Sequence, residues 1–527
     1  MINSRWLIVK KWIRENPKEA IFLGLILLVG AFLRLYKIDE YMTFLGDEGR
    51  DVIVVRRLLV DFDPILIGPR TSIGDMYLGP LYYYMMAPAL ALSFLSPVGP
   101  AVMVALLGVA TIFFVLWVAR EWFPGVIPGR VSIAGLIAAA LYAVSPTVIV
   151  HARNSWNPNI MPFFALLVIY GLFRIWKHGQ FKWLVVIGVS FAFILQSHYL
   201  GLLLAPTIGL FWLLAILKVW GNKNIRLNAI RYTLIASVIF AFLMSPLVIF
   251  DARHGWRNFT AMKKFFTQRQ TTVSARPWTA IPKLPQVTSL ATTRLLTGKN
   301  EEAGRWTNLV LVIGVIGIIV TLLRHALVKR KLSNSLKAYL MLLVWLGFSF
   351  IGLGVYKQHI YDHYYGFFFT APFLLIGGLS QNMIQSAKNT GKILVFVAFV
   401  FLVIINLAEN PLKYPPNRQL QRTKEVSAKI EEEAKGDKFN LAVLAERNYE
   451  DAYQYFLEKT GAPVVDIDAQ RVDETITEQL FVVCELAKDT CDPTRDPKAQ
   501  IANFGWSKIE EEWEIAGVVL YKLIHTK

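Results

Sequence analysis

Leu78-Gly79-Pro80-Leu81-Tyr82-Tyr83-Tyr84-Met85-Met86-Ala87-Pro88-Ala89-Leu90-Ala91-Leu92-Ser93-Phe94-Leu95-Ser96 carries no charged residue. A run of this length can cross a bilayer core of about 30 Å as a helix. If it crosses, every later loop changes side. Pro80, Pro88 and Pro97 interrupt it, and each removes a backbone donor that a helix interior needs. Eleven other apolar runs lie at about 20–36, 100–119, 131–150, 160–176, 183–198, 200–217, 231–250, 307–323, 338–356, 365–384 and 391–408.

Loop charge decides the matter. The connections 120–130 (Arg120, Arg130), 177–182 (Lys177, Lys182), 218–230 (Lys218, Lys223, Arg226), 324–337 (Arg324, Lys329, Arg330, Lys331, Lys337) and 385–391 (Lys388) are basic, with Glu121 their only acid. Positive loops mark the cytoplasmic side. The amino-terminal Arg5, Lys10, Lys11, Arg14 and Lys18 join them there only if 78–96 does not cross. The expectation is a juxtamembrane or re-entrant helix over 78–96 and eleven spans. The amino terminus is then inside and the carboxyl terminus outside.

The chain has 527 residues, 55% of them hydrophobic, with mean hydropathy +0.44. This is an all-α polytopic membrane composition. The runs are too long and continuous for the short alternating strands of a barrel. The formal charge of +17 is unevenly spread: residues 1–408 hold 39 Lys+Arg against 15 Asp+Glu, whereas 409–527 hold 16 against 23. The basic excess lies in the membrane part, where it sets orientation rather than binding nucleic acid.

Residues 409–527 are expected to form a separate, small extracytoplasmic α/β domain after a transmembrane domain at 1–408. Its helices are expected at 419–435 and 449–460, and its strands at 439–445, 480–485 and 518–523. Both cysteines, Cys484 and Cys491, lie there. In an oxidising compartment a disulfide is open to them. The first apolar run lacks a small-residue cleavage site and reads as a span rather than a signal peptide.

With this topology the remaining loop acids, Asp47, Glu48, Asp75, Asp251 and Asp362 among them, face outward, so carboxylate chemistry is expected there. Gly46-Asp47-Glu48-Gly49-Arg50-Asp51 precedes Val52, Val55 and Leu59 at helical spacing. The apolar face can lie on the membrane with the acids at the helix start. A carboxylate here serves a general base, a divalent-metal ligand, or an ordinary helix cap.

The series Phe44-Leu45-Gly46-Asp47-Glu48-Gly49-Arg50, an amphipathic helix and Gly79-Pro80-Leu81-Tyr82 resembles the first outer loop of GT-C membrane glycosyltransferases. The bacterial dolichyl-phosphate-mannose–protein mannosyltransferase and aminoarabinose transferase group is most similar. The resemblance covers about residues 15–260. It implies Asp47 as catalytic base, Glu48 as its neighbour or a metal ligand, and Asp75 as the second acidic position. It also implies a polyprenyl-phosphate sugar as donor. Arg50 and Tyr77 flank these positions as substrate contacts.

Four further groups lie on the expected outer face. Arg153-Asn154-Ser155-Trp156-Asn157-Pro158-Asn159 has asparagines where many GT-C members place an acid, which weakens a two-carboxylate metal site. Arg153, Trp156, Asn157 and Asn159 suit sugar contacts, or else a proline-bounded turn. His198-Tyr199 ends a span. In Asp251-Ala252-Arg253-His254 the arginine and histidine suit a lipid phosphate, or an interfacial anchor belt. In His359-Ile360-Tyr361-Asp362-His363 the i, i+4 histidines suit a metal if helical, although an aromatic belt explains the stretch more simply.

The function expected is sugar transfer from a polyprenyl-phosphate donor to a lipid, glycan or protein acceptor on the outer face of the cytoplasmic membrane. A divalent metal on Asp47, Glu48 and Asp75 stays open. The alternative is a polytopic transporter or lipid flippase without transferase activity. The near-absence of mid-membrane charge and the lack of internal repeats argue against it.

Overall fold

The computed structural model describes residues 10, 12–71, 76–125, 131–267, 272–274 and 276–526. Asp75 and Arg130 lie outside the described residues, as does the amino-terminal Arg5. Among the described residues seven helices are long and apolar enough to cross a membrane unaided. They are Val98–Trp122, Asn157–His178, Tyr199–Val219, Lys223–Arg253, Glu301–Leu327, Asn334–Gly354 and Ala371–Ala408. Ile133–Val144 and Pro146–Ala152 form a further pair bent by 64°. The bend is at Ser145, held extended at φ −63° and ψ 119°, because the residue before proline avoids the helical region. Ala371–Ala408 breaks at Lys388 (φ 48°, ψ −119°), inside the basic connection between two apolar runs. Pro17–Leu35 and Trp183–Ser197 occupy the remaining two runs.

Leu81–Leu92 is a helix of 12 residues. At 1.5 Å per residue it reaches roughly 18 Å, short of a hydrocarbon core of about 30 Å. The chain reverses after it through Phe94 and Leu95, at φ 54° and 58°, and enters Val98–Trp122. The 78–96 run is thus a short hairpin arm.

Gly46–Val60 and Leu81–Leu92 pack on each other and on the carboxyl-terminal segment. One buried cluster joins Phe44, Val52, Val55, Tyr82 and Met86 to Val426, Ile430, Leu441, Tyr453, Leu457, Phe481 and Leu520. The segment after 409 therefore shares its core with the first loop. It carries helices Gln419–Ala434 and Asp451–Thr460 and a four-stranded sheet. The strands are β1 (Asn440–Leu444), β2 (Gln479–Cys484), β3 (Ser507–Ile515) and β4 (Val518–His525), in the order β1-β2-β4-β3. β1 and β2 are parallel and the other pairs antiparallel. β1 and β2 are buried on both faces, which is why they read as unbroken apolar runs. The sequence reading missed β3. It is a mostly exposed edge strand, SKIEEEWEI, whose glutamates suit an edge that must not pair with another chain. A disulfide joins Cys484 to Cys491.

Candidate active site

The Gly46–Val60 helix turns its first acids in different directions, because successive residues are rotated by about 100°. Glu48 folds back, and its Oε2 accepts the Leu45 N–H at 3.1 Å. It is 7% exposed, and burial pushes its carboxyl up to about 8, with Asp47 and Asp51 adding to the rise and the Leu45 N–H opposing it. Asp51 is fully buried. Its Oδ1 accepts Arg50 Nε at 3.1 Å, Arg50 Nη2 at 2.8 Å and the Tyr83 hydroxyl at 2.8 Å. Burial raises the Asp51 pKa, with Arg50 working against the rise.

Asp47 alone of the three stays open, with a side chain 45% exposed. Its Oδ1 accepts Arg50 Nη1 at 2.8 Å and the Tyr449 hydroxyl at 2.6 Å. No hydrogen bond among the described residues engages its Oδ2. Arg50 thus bridges two carboxylates. Burial disfavours its charge, but Asp51, Tyr83, Tyr449 and Asp47 outweigh this and hold it protonated.

Asp47 and Arg50 form one wall of a cavity of about 190 Å³. Pro69, Arg70, Thr71 and Leu78 come from the loop before Leu81–Leu92. Trp156, Asn157, Pro158, His198, Tyr199, His363 and Tyr364 close the far side. The His198 and His363 rings lie 5.6 Å apart, and Trp156 meets His363 edge-on at 4.6 Å. Burial pushes His198 down to about 3. It also pushes His363 down to about 2, helped by His198 and His151. Both imidazoles are therefore neutral. His198 Nδ1 faces the Leu200 N–H at 3.2 Å, which leaves the ring proton on Nε2.

Seven residues singled out in the sequence meet here: Asp47, Arg50, Trp156, Asn157, His198, Tyr199 and His363. The other described ones are not among the residues that line the cavity, and Asp75 lies outside the described residues. Arg153 is buried and donates to the carbonyls of Leu33, Tyr36 and Lys37, pinning the end of the first helix. Asn159 donates to Asn154 O and lines a separate crevice with His151. Asp251 accepts the N–H groups of Asn258 at 2.7 Å and Phe259 at 3.1 Å, so it caps Arg257–Thr267. Arg253 and His254 are exposed, and His254 stacks on Phe250. The Tyr77 ring also meets Phe250, while its N–H donates to Asn258. His359 precedes the 3-10 turn Asp362–Phe368, so it shares no helical turn with His363. Arg70, Tyr83, Tyr364 and Tyr449 escaped the sequence reading. Nothing local marks Tyr449, which is 402 positions from Asp47.

Among the described residues no three His, Cys, Asp or Glu side chains converge on a metal position. The Arg50 guanidinium stands against Asp47 Oδ1, and Glu48 Oε2 is engaged by the Leu45 N–H. Asp75, the third position of the expected metal set, lies outside the described residues. A larger groove of about 900 Å³ lies elsewhere, lined by Met85, Pro88, Leu92, Val102, Met103 and Leu106, with Asp39 the one charged residue among its described lining. It suits hydrocarbon rather than proton transfer.

A family model described as dolichyl-phosphate-mannose-protein mannosyltransferase matches residues 78–250. No curated protein matches the chain in sequence. Among solved structures, ArnT from Cupriavidus metallidurans in the apo state is similar at a TM-score of 0.56 and 12% identity, over 99% of this chain and 98% of that one. ArnT bound to undecaprenyl phosphate is similar at 0.53 and 12%, over 95% and 97%. The Archaeoglobus fulgidus oligosaccharyltransferase in complex with Zn and sulfate follows at 0.51 and 13%, over 88% and 67%. At such identities the likeness is one of fold. The chain has the GT-C membrane glycosyltransferase fold, as the resemblance of its Phe44–Tyr82 stretch implied.

Proposed function

We propose that this protein transfers a sugar from a polyprenyl-phosphate donor to an acceptor hydroxyl, with Asp47 as general base. The observation that carries the reading is the asymmetry of Asp47. Oδ1 is held by Arg50 and Tyr449, while Oδ2 is unengaged among the described residues, in a cavity that also holds two neutral imidazoles. A base needs a free lone pair aimed at the proton it takes.

In this reading the acceptor oxygen attacks the anomeric carbon, and its proton passes to Asp47 Oδ2. The bond from the anomeric carbon to the phosphate oxygen breaks, and the lipid phosphate leaves with the electron pair. His198 Nε2–H, which needs no proton from solvent, donates to the departing oxygen's phosphate. Arg70, on the loop before Leu81–Leu92, adds positive charge to the cavity. Trp156 offers a flat apolar face to the sugar ring. The apolar groove at Met85–Leu106 accommodates the donor's hydrocarbon.

The family match to mannosyltransferases and the undecaprenyl phosphate bound by ArnT support the donor class. Loop charge supports a cytoplasmic amino terminus, with the site and residues 409–527 on the outer face of the cytoplasmic membrane. The test is transfer of radiolabel from polyprenyl-phosphate sugars to membrane acceptors. Asp47→Asn is expected to lower kcat by about a hundredfold or more. Full activity in that variant overturns the reading.

A further inference from the structure

The glycines of Gly46-Asp47-Glu48-Gly49 have a physical reason outside their own helix. A Cβ on Gly46 would run into the Tyr449 ring, and one on Gly49 into the backbone of Asp451 and Ala452. The bare face of this helix is therefore where the carboxyl-terminal segment lies down. Asn448 fixes the register. Its Oδ1 accepts the Gly46 N–H at 2.8 Å, and its Nδ2 donates to Glu485 Oε1 at 2.6 Å. Glu485 also accepts the Tyr453 hydroxyl at 2.6 Å. Tyr449 then stands with its ring on Gly46 and its hydroxyl on Asp47 Oδ1.

We propose that Tyr449 is a positioning residue for catalysis, clamping one oxygen of Asp47 so that the other faces the acceptor; this rests on the reading of Asp47 as the base. Arg50 alone cannot do this. Its Nη2 and Nε are taken by Asp51, and it reaches Asp47 through Nη1 only. A carboxylate held by one donor rotates about its Cβ–Cγ bond. Two donors, a guanidinium from its own helix and a phenol from the distant segment, converge on Oδ1 and are themselves joined by the Arg50 Nη1–Tyr449 hydroxyl bond at 3.3 Å, so the carboxylate is held more firmly than by either alone. The carboxyl-terminal segment is then part of the active site rather than an appendage to it.

The test is steady-state transfer by the full-length protein carrying Tyr449→Phe, which deletes one hydroxyl and keeps the ring. Losing a hydrogen bond to a charged group at the reacting centre is expected to lower kcat about tenfold. The donor KM and the melting temperature should stay at wild-type values. Glu458→Gln serves as the control. It weakens the same seam by releasing Arg57, 2.8 Å from Glu458 Oε1, without touching Asp47, and should leave kcat unchanged. Wild-type kcat in Tyr449→Phe overturns the proposal, as does an equal loss in Glu458→Gln, which would reduce Tyr449 to a docking contact. If Tyr449→Phe lowers the melting temperature, the comparison with Glu458→Gln at matched stability still decides. Asp47→Asn separates the two levels. Activity in that variant removes the base assignment itself. Inactivity there, with wild-type turnover in Tyr449→Phe, removes only the clamp.

Discussion

Tyr83 donates its hydroxyl to Asp51 Oδ1 over 2.8 Å. This bond ties the short Leu81–Leu92 arm to the helix that carries Asp47. Asp51 is wholly buried and its Oδ2 has no hydrogen-bond partner among the described residues, so every donor on Oδ1 counts towards offsetting the cost of burying the carboxylate. Tyr83→Phe is expected to destabilise the protein by about 1.5–3 kcal/mol. Thermal unfolding in detergent measures it, and an unchanged midpoint would show that the hydroxyl contributes nothing.

Gly49 is expected to tolerate no side chain. Its added Cβ meets backbone atoms of Asp451 and Ala452, which cannot swing aside as a flexible side chain can. Gly49→Ala should cost about 1–3 kcal/mol through overpacking, despite alanine's higher helix propensity. The matched comparison is Gly24→Ala, at a helical glycine with nothing within 4 Å, which should be neutral or stabilising. Limited proteolysis of residues 419–526 gives the readout. Equal resistance of the two variants would contradict the packing argument.

Glu48 makes stability depend on pH. Its folded-state carboxyl, raised to about 8 from an ordinary value of 4.5, binds its proton more tightly than the unfolded chain does. Its contribution is therefore fully present below pH 4.5 and is lost as pH rises through 8. Glu48→Gln, which keeps the shape without the charge, should flatten the fall in melting temperature between those limits. A slope identical to wild type would place the pH dependence elsewhere.

Much of this architecture is legible along the chain. The apolar run lengths match the helices because a bilayer permits backbone groups no partners except those within the helix. Pro88 and the shortness of Leu81–Leu92 explain why that run makes only an arm. β1, β2 and β4 show as apolar stretches because they are buried. β3 does not show, because an exposed edge selects charge rather than hydrophobicity.

The site is another matter. The sequence by itself determined that Asp47, Glu48 and Asp51 start a helix beside an arginine, and that aromatic and histidine clusters end several spans. Only the tertiary structure decided which of the three acids stays open. Glu48 is spent on the helix start and Asp51 on Arg50 and Tyr83. Asp47 is steadied by Tyr449, brought from 402 positions away. It also decided that Arg153 ties down the end of Pro17–Leu35 and that Asp251 caps Arg257–Thr267. The reason is physical. Local sequence specifies which faces a helix presents, but the availability of a side chain for chemistry depends on what packs against each face. Those partners are set by contacts the chain makes only when folded.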